Sequence, residues 1–195
     1  MTAQVVDFYF DLSSPYSYLA ATQMEAITAP HAVVHWRPVV LLAVFKATGN
    51  TIPASCAAKA KWMLGDLHRW AQRYGVPFQF SSRFPVNAMK AHRMIVAVGD
   101  AVGAAKLSRG LFDAVWVHDR DINDDAVLRE LAQSAGLDGQ GLLAATETQS
   151  VKDALRLETD QAIARGMFGA PALFLEEQLF WGNDRLEFLQ AALRG

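Results

Sequence analysis

Two hydroxyls set directly before a helical proline are the groups in this chain best placed to do chemistry. Ser13-Ser14-Pro15-Tyr16 follows at once on the run Val5-Val6-Asp7-Phe8-Tyr9-Phe10. That run is aromatic and β-branched and reads as a strand. Ser14 suits an N-cap, and Pro15 suits the first helical position, where the missing N–H of proline costs nothing. A helix start of this kind presents unpaired backbone N–H groups and about half a positive charge, which together stabilise a negative group. A hydroxyl pointing into that spot can hold a thiolate. A serine before a helical proline more often caps its own helix and does nothing more, so Ser14 alone decides little. The second marker is Met167-Phe168-Gly169-Ala170-Pro171, far down the chain and leading into a short apolar strand, Ala172 to Leu175.

An early strand–helix start with a late X-Pro–strand step resembles the thioredoxin architecture. The resemblance implies an active group at the start of the first helix, faced by a cis-proline loop. Thioredoxins carry Cys-x-x-Cys at that helix start, whereas this chain has Ser13-Ser14-Pro15-Tyr16. Four segments narrow the likeness. They are Asp11-Leu12-Ser13-Ser14-Pro15-Tyr16-Ser17-Tyr18-Leu19, Arg37-Pro38-Val39-Val40-Leu41-Leu42 running on to Lys46-Ala47-Thr48-Gly49-Asn50, Phe168-Gly169-Ala170-Pro171, and Leu179-Phe180-Trp181-Gly182-Asn183-Asp184-Arg185-Leu186. They fall in order and span nearly the whole chain. On these residues the chain is similar to the 2-hydroxychromene-2-carboxylate isomerases, glutathione-dependent members of the kappa-class glutathione transferase group.

The resemblance implies glutathione as the cofactor and assigns it contacts. Ser14 would donate a hydrogen bond to the sulfur. A bond to a charged acceptor contributes roughly 1.5–3 kcal/mol and a helix terminus about 0.3–1, enough to lower a thiol of pKa near 8.5 by roughly one to three units. Ala170, before a cis Pro171, would pair its backbone with the cysteinyl unit as an added strand does. Asn183 and Asp184, at the start of the last helix, would meet the γ-glutamyl carboxylate and ammonium; helix capping is an equal reading for Asn183. Many kappa enzymes have serine where this chain has Asn183. Asn50 and Lys59 match positions that hold the ligand backbone and glycyl carboxylate, although Lys59, with Lys61 beside it, also reads as a solvated helix face. Trp36, Lys46, Arg83 and Phe84 are candidates for a substrate pocket with a cation and aromatic walls. Each could equally be core or surface, and Trp116, on the same helix face as Leu111, Phe112 and Val115, reads as core.

Three functions follow from the resemblance. The first is an isomerase of an aromatic acid, probing the double bond with a thiolate that is recovered, in the breakdown of naphthalene-type compounds. The second is a kappa-like transferase or peroxidase that consumes glutathione. The third is a non-catalytic glutathione-binding protein, since a fold does not fix a function. A dithiol oxidoreductase is disfavoured, because Cys56 is the sole cysteine and lies away from the helix start. Relatives in this family are usually dimers, and the resemblance implies a homodimer here.

Composition bounds the rest. A net charge of −2 gives no electrostatic footprint for nucleic acid. No apolar run approaches membrane-spanning length. Asp7 and Asp11 interrupt the first apolar stretch, which therefore does not read as a signal peptide, and a lone cysteine suits a reducing compartment, so the expectation is a cytoplasmic protein. His31, His35, His68, His92 and His118 show no metal-ligand spacing, and no metal is expected. Asp121-Ile122-Asn123-Asp124-Asp125 begins like a calcium loop, but Ala126 and Ala132 stand where the loop needs glycine and a carboxylate, and acidic helix capping is the better reading.

The elements that must position these groups are an α/β set interrupted by helix. A strand closes around His35 to Val40, Gly49 to Pro53 breaks the chain, and Ala57 to Tyr74 carries apolar residues at helical spacing, stopped by Gly75 and Pro77. Further helices are expected from about Pro85 to Val98, Ala104 to Val117, Asp124 to Ala135, and Leu142 to Arg165 with a break. The chain ends in strands Ala172 to Leu175 and Gln178 to Trp181 and a helix from Asp184. The expected fold is therefore α/β and thioredoxin-like, with a large all-helical domain (residues 43–165) inserted between a βαβ half (1–42) and a ββα half (166–195).

Overall fold

In the computed structural model, which describes residues 4–195, a four-stranded mixed sheet carries the chemistry-bearing turn at one end. Strands β1 (Gln4–Phe10), β2 (Ala32–Pro38), β3 (Ala172–Leu175) and β4 (Gln178–Trp181) lie in the order β2-β1-β3-β4. β1 runs parallel to β2, with Phe8 opposite Trp36, and antiparallel to β3, with Tyr9 opposite Ala172. Helix α1 (Pro15–Thr28) makes the crossover between β1 and β2, as a parallel pair requires.

Because side chains alternate across a strand, β1 feeds two cores. Val6, Phe8 and Phe10 face one side, where they pack with Trp36, with Tyr18, Leu19 and Met24 of α1, and with Leu111, Phe112 and Val115 of α5 (Ala101–Trp116). α9 (Leu186–Arg194) closes that side with Leu186, Leu189 and Leu193. Tyr9 faces the other side, against Val44 of α2 (Leu41–Thr48), Ala162 of α8 (Gln149–Ala164), and Phe174. Asp7 is held on that same side by Arg37 at 2.6 Å and Arg165 at 2.7 Å. Burial raises its pKa and the two guanidinium groups lower it; the guanidinium groups win, and the carboxyl sits below the usual aspartate range.

Helices α3 (Ala57–Tyr74), α4 (Met89–Ala97), α5, α6 (Asp125–Ser134) and α7 (Gly139–Ala145) stand between the two strand-bearing parts of the chain. The insertion is tied to α1 through Tyr18, whose hydroxyl donates to the Pro77 carbonyl. Burial, with Asp113 nearby, pushes that phenol up to about 12, so it remains a donor. Among the described residues no helix is long and apolar enough to cross a membrane. Among the described residues no group of three or more His, Cys, Asp or Glu is placed to hold a metal ion.

Local chemistry moves several helix ends from where periodicity alone puts them. The helix expected from about Pro85 starts instead at Met89, whose N–H the Asn87 side chain accepts at 3.2 Å. α5 begins at Ala101, earlier than expected, because Asp100 caps it by accepting from Gly103 N–H at 2.7 Å. The stretch Leu142 to Arg165 is two helices, α7 and α8, with Asp138 and Thr148 as their caps. α2 was not expected: a short helix between a strand and Gly49, which ends it at φ 71°. The final helix opens with a 3-10 turn, Asn183–Arg185, before α9.

Candidate active site at the start of helix α1

Ser14 is the N-cap of α1 and also faces the late proline loop. Its Oγ accepts the Ser17 N–H at 3.1 Å, which satisfies one orphan donor of the helix. The same hydroxyl points its own hydrogen toward the Ala170 carbonyl oxygen, 3.4 Å away across 156 positions of sequence. The Ala170–Pro171 bond is cis. A 3.4 Å contact is long for a hydroxyl donor, so the hydrogen of Ser14 is only weakly engaged and free to turn to a better acceptor. Ser14 is 6% exposed, at the surface edge of the core.

The strand-to-helix turn that presents Ser14 is held from three directions. Asp11 accepts the N–H and the hydroxyl of Ser13 at 2.8 and 2.7 Å, and its other oxygen accepts the Leu41 N–H at 2.9 Å, which starts α2. The Leu12 carbonyl accepts from Trp116 Nε1 at 2.9 Å, which fixes the fully buried Trp116 as a core residue. The Leu12 N–H donates to His92 Nε2 at 3.0 Å. Burial lowers the His92 pKa against the opposing pull of Asp11, so the ring is neutral, with its lone pair on Nε2 and its proton on Nδ1. Sequence reading did not single out His92, because one histidine among Met89, Met94 and Ile95 carries no signal beyond an apolar helix face.

The proline loop is braced in turn. Asn50 donates through Nδ2 to the Phe168 carbonyl at 2.9 Å and accepts the Thr51 N–H at 2.8 Å, so the turn after α2 grips the loop that holds Ala170. The ladder of β3 begins at Ala172, which leaves the Ala170 backbone edge beyond the sheet. Gly169 lies under the indole of Trp181, and a Cβ there would come within 2.6 Å of Nε1. Trp181 also packs against Phe168, centroid to centroid 4.9 Å, and both rings are partly exposed beside the loop.

On the α1–α3 side the site is acidic. The Tyr16 hydroxyl donates to Asp66 at 2.9 Å. Burial, Asp66 and Asp184 together raise its pKa, so both carboxylates bear on one phenol. Asp184 is exposed and pairs with Arg185 at 2.6 Å. Asn183 is buried and faces inward: its carbonyl accepts from Tyr74 at 2.7 Å and its Nδ2 lies 3.4 Å from the same hydroxyl. It caps neither the 3-10 turn nor α9 with its side chain. A cleft of about 230 Å³ opens beside these two residues, between α1, α3 and α9, lined by Gln23, Trp70, Arg73, Tyr74 and Glu187 among others.

The remaining expected residues scatter. Lys59 is exposed in the first turn of α3, where its backbone N–H points at the Cys56 thiol. The backbone N–H of Lys59, with that of Ala58 and the Lys59 charge, lowers the thiol pKa against desolvation at the exposed start of α3. Lys46 is exposed in the last turn of α2. Trp36 is in the core under the Arg109 guanidinium, edge-on to Phe8. Arg83 is engaged by the Asp119 backbone and carboxylate, and Phe84 is half-buried against Phe80. Of the expected set, the structure therefore joins Ser14 to Ala170 and Pro171, adds Asn50 through Phe168, and sets Asn183 and Asp184 beside the acidic flank. It puts Trp36 and the Arg83–Phe84 pair into packing of their own.

Comparison with known proteins places this geometry. A model of the DSBA-like thioredoxin domain matches residues 5–194. A 2-hydroxychromene-2-carboxylate isomerase of Sphingobium xenophagum is 33% identical over 193 residues, covering 97% of this chain and 98% of its own. A kappa 2 glutathione S-transferase of Caenorhabditis elegans is 29% identical over 215 residues, covering 98% and 94%. The solved structure of a 2-hydroxychromene-2-carboxylate isomerase superposes with a TM-score of 0.90 at 28% identity, covering 97% of this chain and 94% of that one.

Proposed function

The chain belongs to the DSBA-like thioredoxin domain family, in the group of the 2-hydroxychromene-2-carboxylate isomerases, and on that footing we propose that it is a glutathione-dependent cis-trans isomerase. It would interconvert 2-hydroxychromene-2-carboxylate and trans-o-hydroxybenzylidenepyruvate, or a closely related aromatic acid. The observation that carries the reading is the hydroxyl of Ser14, set at a helix N-terminus against the carbonyl before a cis proline, with no thiol of its own in the turn.

The residues fit a bound glutathione. The Ser14 hydrogen has only a 3.4 Å acceptor at Ala170 and can be redirected to a sulfur, where the α1 terminus adds its partial charge. The Ala170 edge beyond the β3 ladder offers backbone pairing, as an added strand uses. Asp184, backed by Asp66, suits an ammonium, and the backbone at the 3-10 turn suits a carboxylate. Asn183 serves that end by fixing the turn through Tyr74 rather than by its amide. Asn50 positions the loop through Phe168, and the exposed Lys59 would meet the glycyl carboxylate.

When bound, glutathione supplies a thiolate that adds to the conjugated double bond, allows rotation and leaves again, so neither atoms nor electrons are gained or lost. The protein's part is to keep the sulfur ionised through Ser14, to hold the ligand against Ala170, and to keep the turn rigid through Asp11, His92 and Trp116.

The test is turnover of hydroxychromene carboxylate followed by ultraviolet absorbance with and without glutathione. Interconversion that requires glutathione and leaves its concentration unchanged is expected; absence of conversion overturns the reading. The likeness to kappa transferases supports a second reading, distinguished by steady depletion of glutathione on a general electrophile.

A further inference from the structure

A second cleft, of about 190 Å³, lies between α2, α4 and α8, away from the glutathione-facing residues described above. Its walls are apolar at Val40, Ala43, Met89 and Leu155. Three cations line it, Arg93 from α4 and, at the rim, Lys152 and Arg156 from α8, with Asp160 the one carboxylate among the lining residues. The cations are not equivalent. Lys152 pairs with Glu147 at 3.2 Å and Arg156 with Asp153 at 3.1 Å. Arg93 has no ion pair among the described residues, and its Nε is buried with no hydrogen-bond partner. The Nε itself is closed off and costly to bury unpaired, so what the cleft can offer a ligand is the partly exposed terminal end of the Arg93 guanidinium.

The other donors around the cleft are already engaged. Val40 N–H goes to Thr159 Oγ1 at 3.1 Å, Leu41 N–H to Asp11, and the Thr159 hydroxyl to the Leu155 carbonyl at 3.0 Å. What remains open is one planar, delocalised cation at the side of an apolar slot, with two more positive charges at the rim. Guanidinium groups in that setting recognise carboxylates through paired N–H bonds.

We propose that this cleft is a binding site for a small organic carboxylate, its charge on Arg93 and its apolar body against Met89 and Leu155. The proposal does not rest on the isomerase reading and uses none of its residues. It does touch the same scaffold, since Arg93 follows His92, which holds the Leu12 N–H.

The test uses full-length protein labelled with 13C at the methionine ε-methyl groups, with the Met89 signal assigned through Met89→Leu. Benzoate is titrated in, then acetate, then inorganic phosphate, each at constant ionic strength. A saturable shift of the Met89 methyl with benzoate is expected, weaker with acetate. Arg93→Gln should weaken it by about tenfold or more, the scale of a lost charge-assisted bond. Lys152→Gln and Arg156→Gln, on the outer side of α8, should weaken it a few-fold and keep the test open if the Arg93 variant does not fold. No saturable shift, a response to phosphate alone, or unchanged affinity in all three variants overturns the proposal.

Discussion

The Nε2 atom of His92 accepts the backbone N–H of Leu12 at 3.0 Å, across 80 positions of sequence, and Trp116 holds the carbonyl of the same residue at 2.9 Å. Leu12, two residues ahead of Ser14, is thus clamped at both its backbone polar atoms by α4 and α5. The orientation of the serine is set by the core of the insertion as much as by its own turn.

The clamp makes stability depend on pH in a stated direction. Above the ordinary histidine value near 6.5 the ring is neutral in folded and unfolded chains alike. Below it the unfolded chain takes up a proton that the folded one, with its depressed pKa, resists. Stability therefore falls as pH drops from about 6.5 toward the folded value, at up to about 1.4 kcal/mol per pH unit. His92→Gln, which can still accept from Leu12, should flatten this part of a melting-temperature profile while keeping the folded spectrum.

Asp7 gives a second, lower window. Its carboxyl is held below the usual 3.8 by Arg37 and Arg165 against the cost of burial, so stability is full above that value and is lost as pH falls beneath it. Asp7→Asn should remove the slope and cost about 2 kcal/mol at neutral pH, after discounting for the partial exposure of both arginines. Urea unfolding at pH 7 and pH 3 measures both.

If the proposed glutathione site is right, removal of the Ser14 hydroxyl takes one charge-assisted donor from the sulfur. The thiol pKa of the complex, followed by thiolate absorbance, should rise by about one to two units in Ser14→Ala, with kcat falling about ten- to hundredfold. An unchanged pKa would mean that Ser14 only caps α1.

Gly169→Ala drives a methyl group toward Trp181 Nε1, with a starting separation of 2.6 Å. Either the indole or the Ala170 loop must move. Glutathione affinity should fall several-fold with little change in melting temperature, and Trp181→Ala in the same chain should restore much of it. Calorimetric titration of the two single variants and the double variant decides.

The parts of this molecule that were legible in sequence are those where local chemistry and tertiary role coincide. Val5 to Phe10 reads as a strand because it is one, and Ser14 and Pro15 announce a helix start by the bonds they make or forgo. Cis Pro171 and the ordered motifs carried the fold. α2 was hidden because its first N–H is satisfied by Asp11, thirty positions earlier, rather than by a neighbouring cap. Asn183 read equally as a ligand contact or a cap, yet it faces Tyr74, whose approach depends on how α3 packs. The role of His92 and the confinement of Trp36 depend likewise on contacts between distant segments, to which neither spacing nor residue type points.

The sheet order has a consequence for how the chain is made. β1 sits centrally, yet β3, which covers one of its two edges, is the third strand along the chain and follows eight helices. At ribosomal rates of about 5–20 residues per second, a strand as apolar as Val5 to Phe10 waits roughly ten to thirty seconds with that edge bare. The Ser14 turn is synthesised early but cannot meet Ala170 until the final stretch emerges, so the newborn protein joins these two segments last.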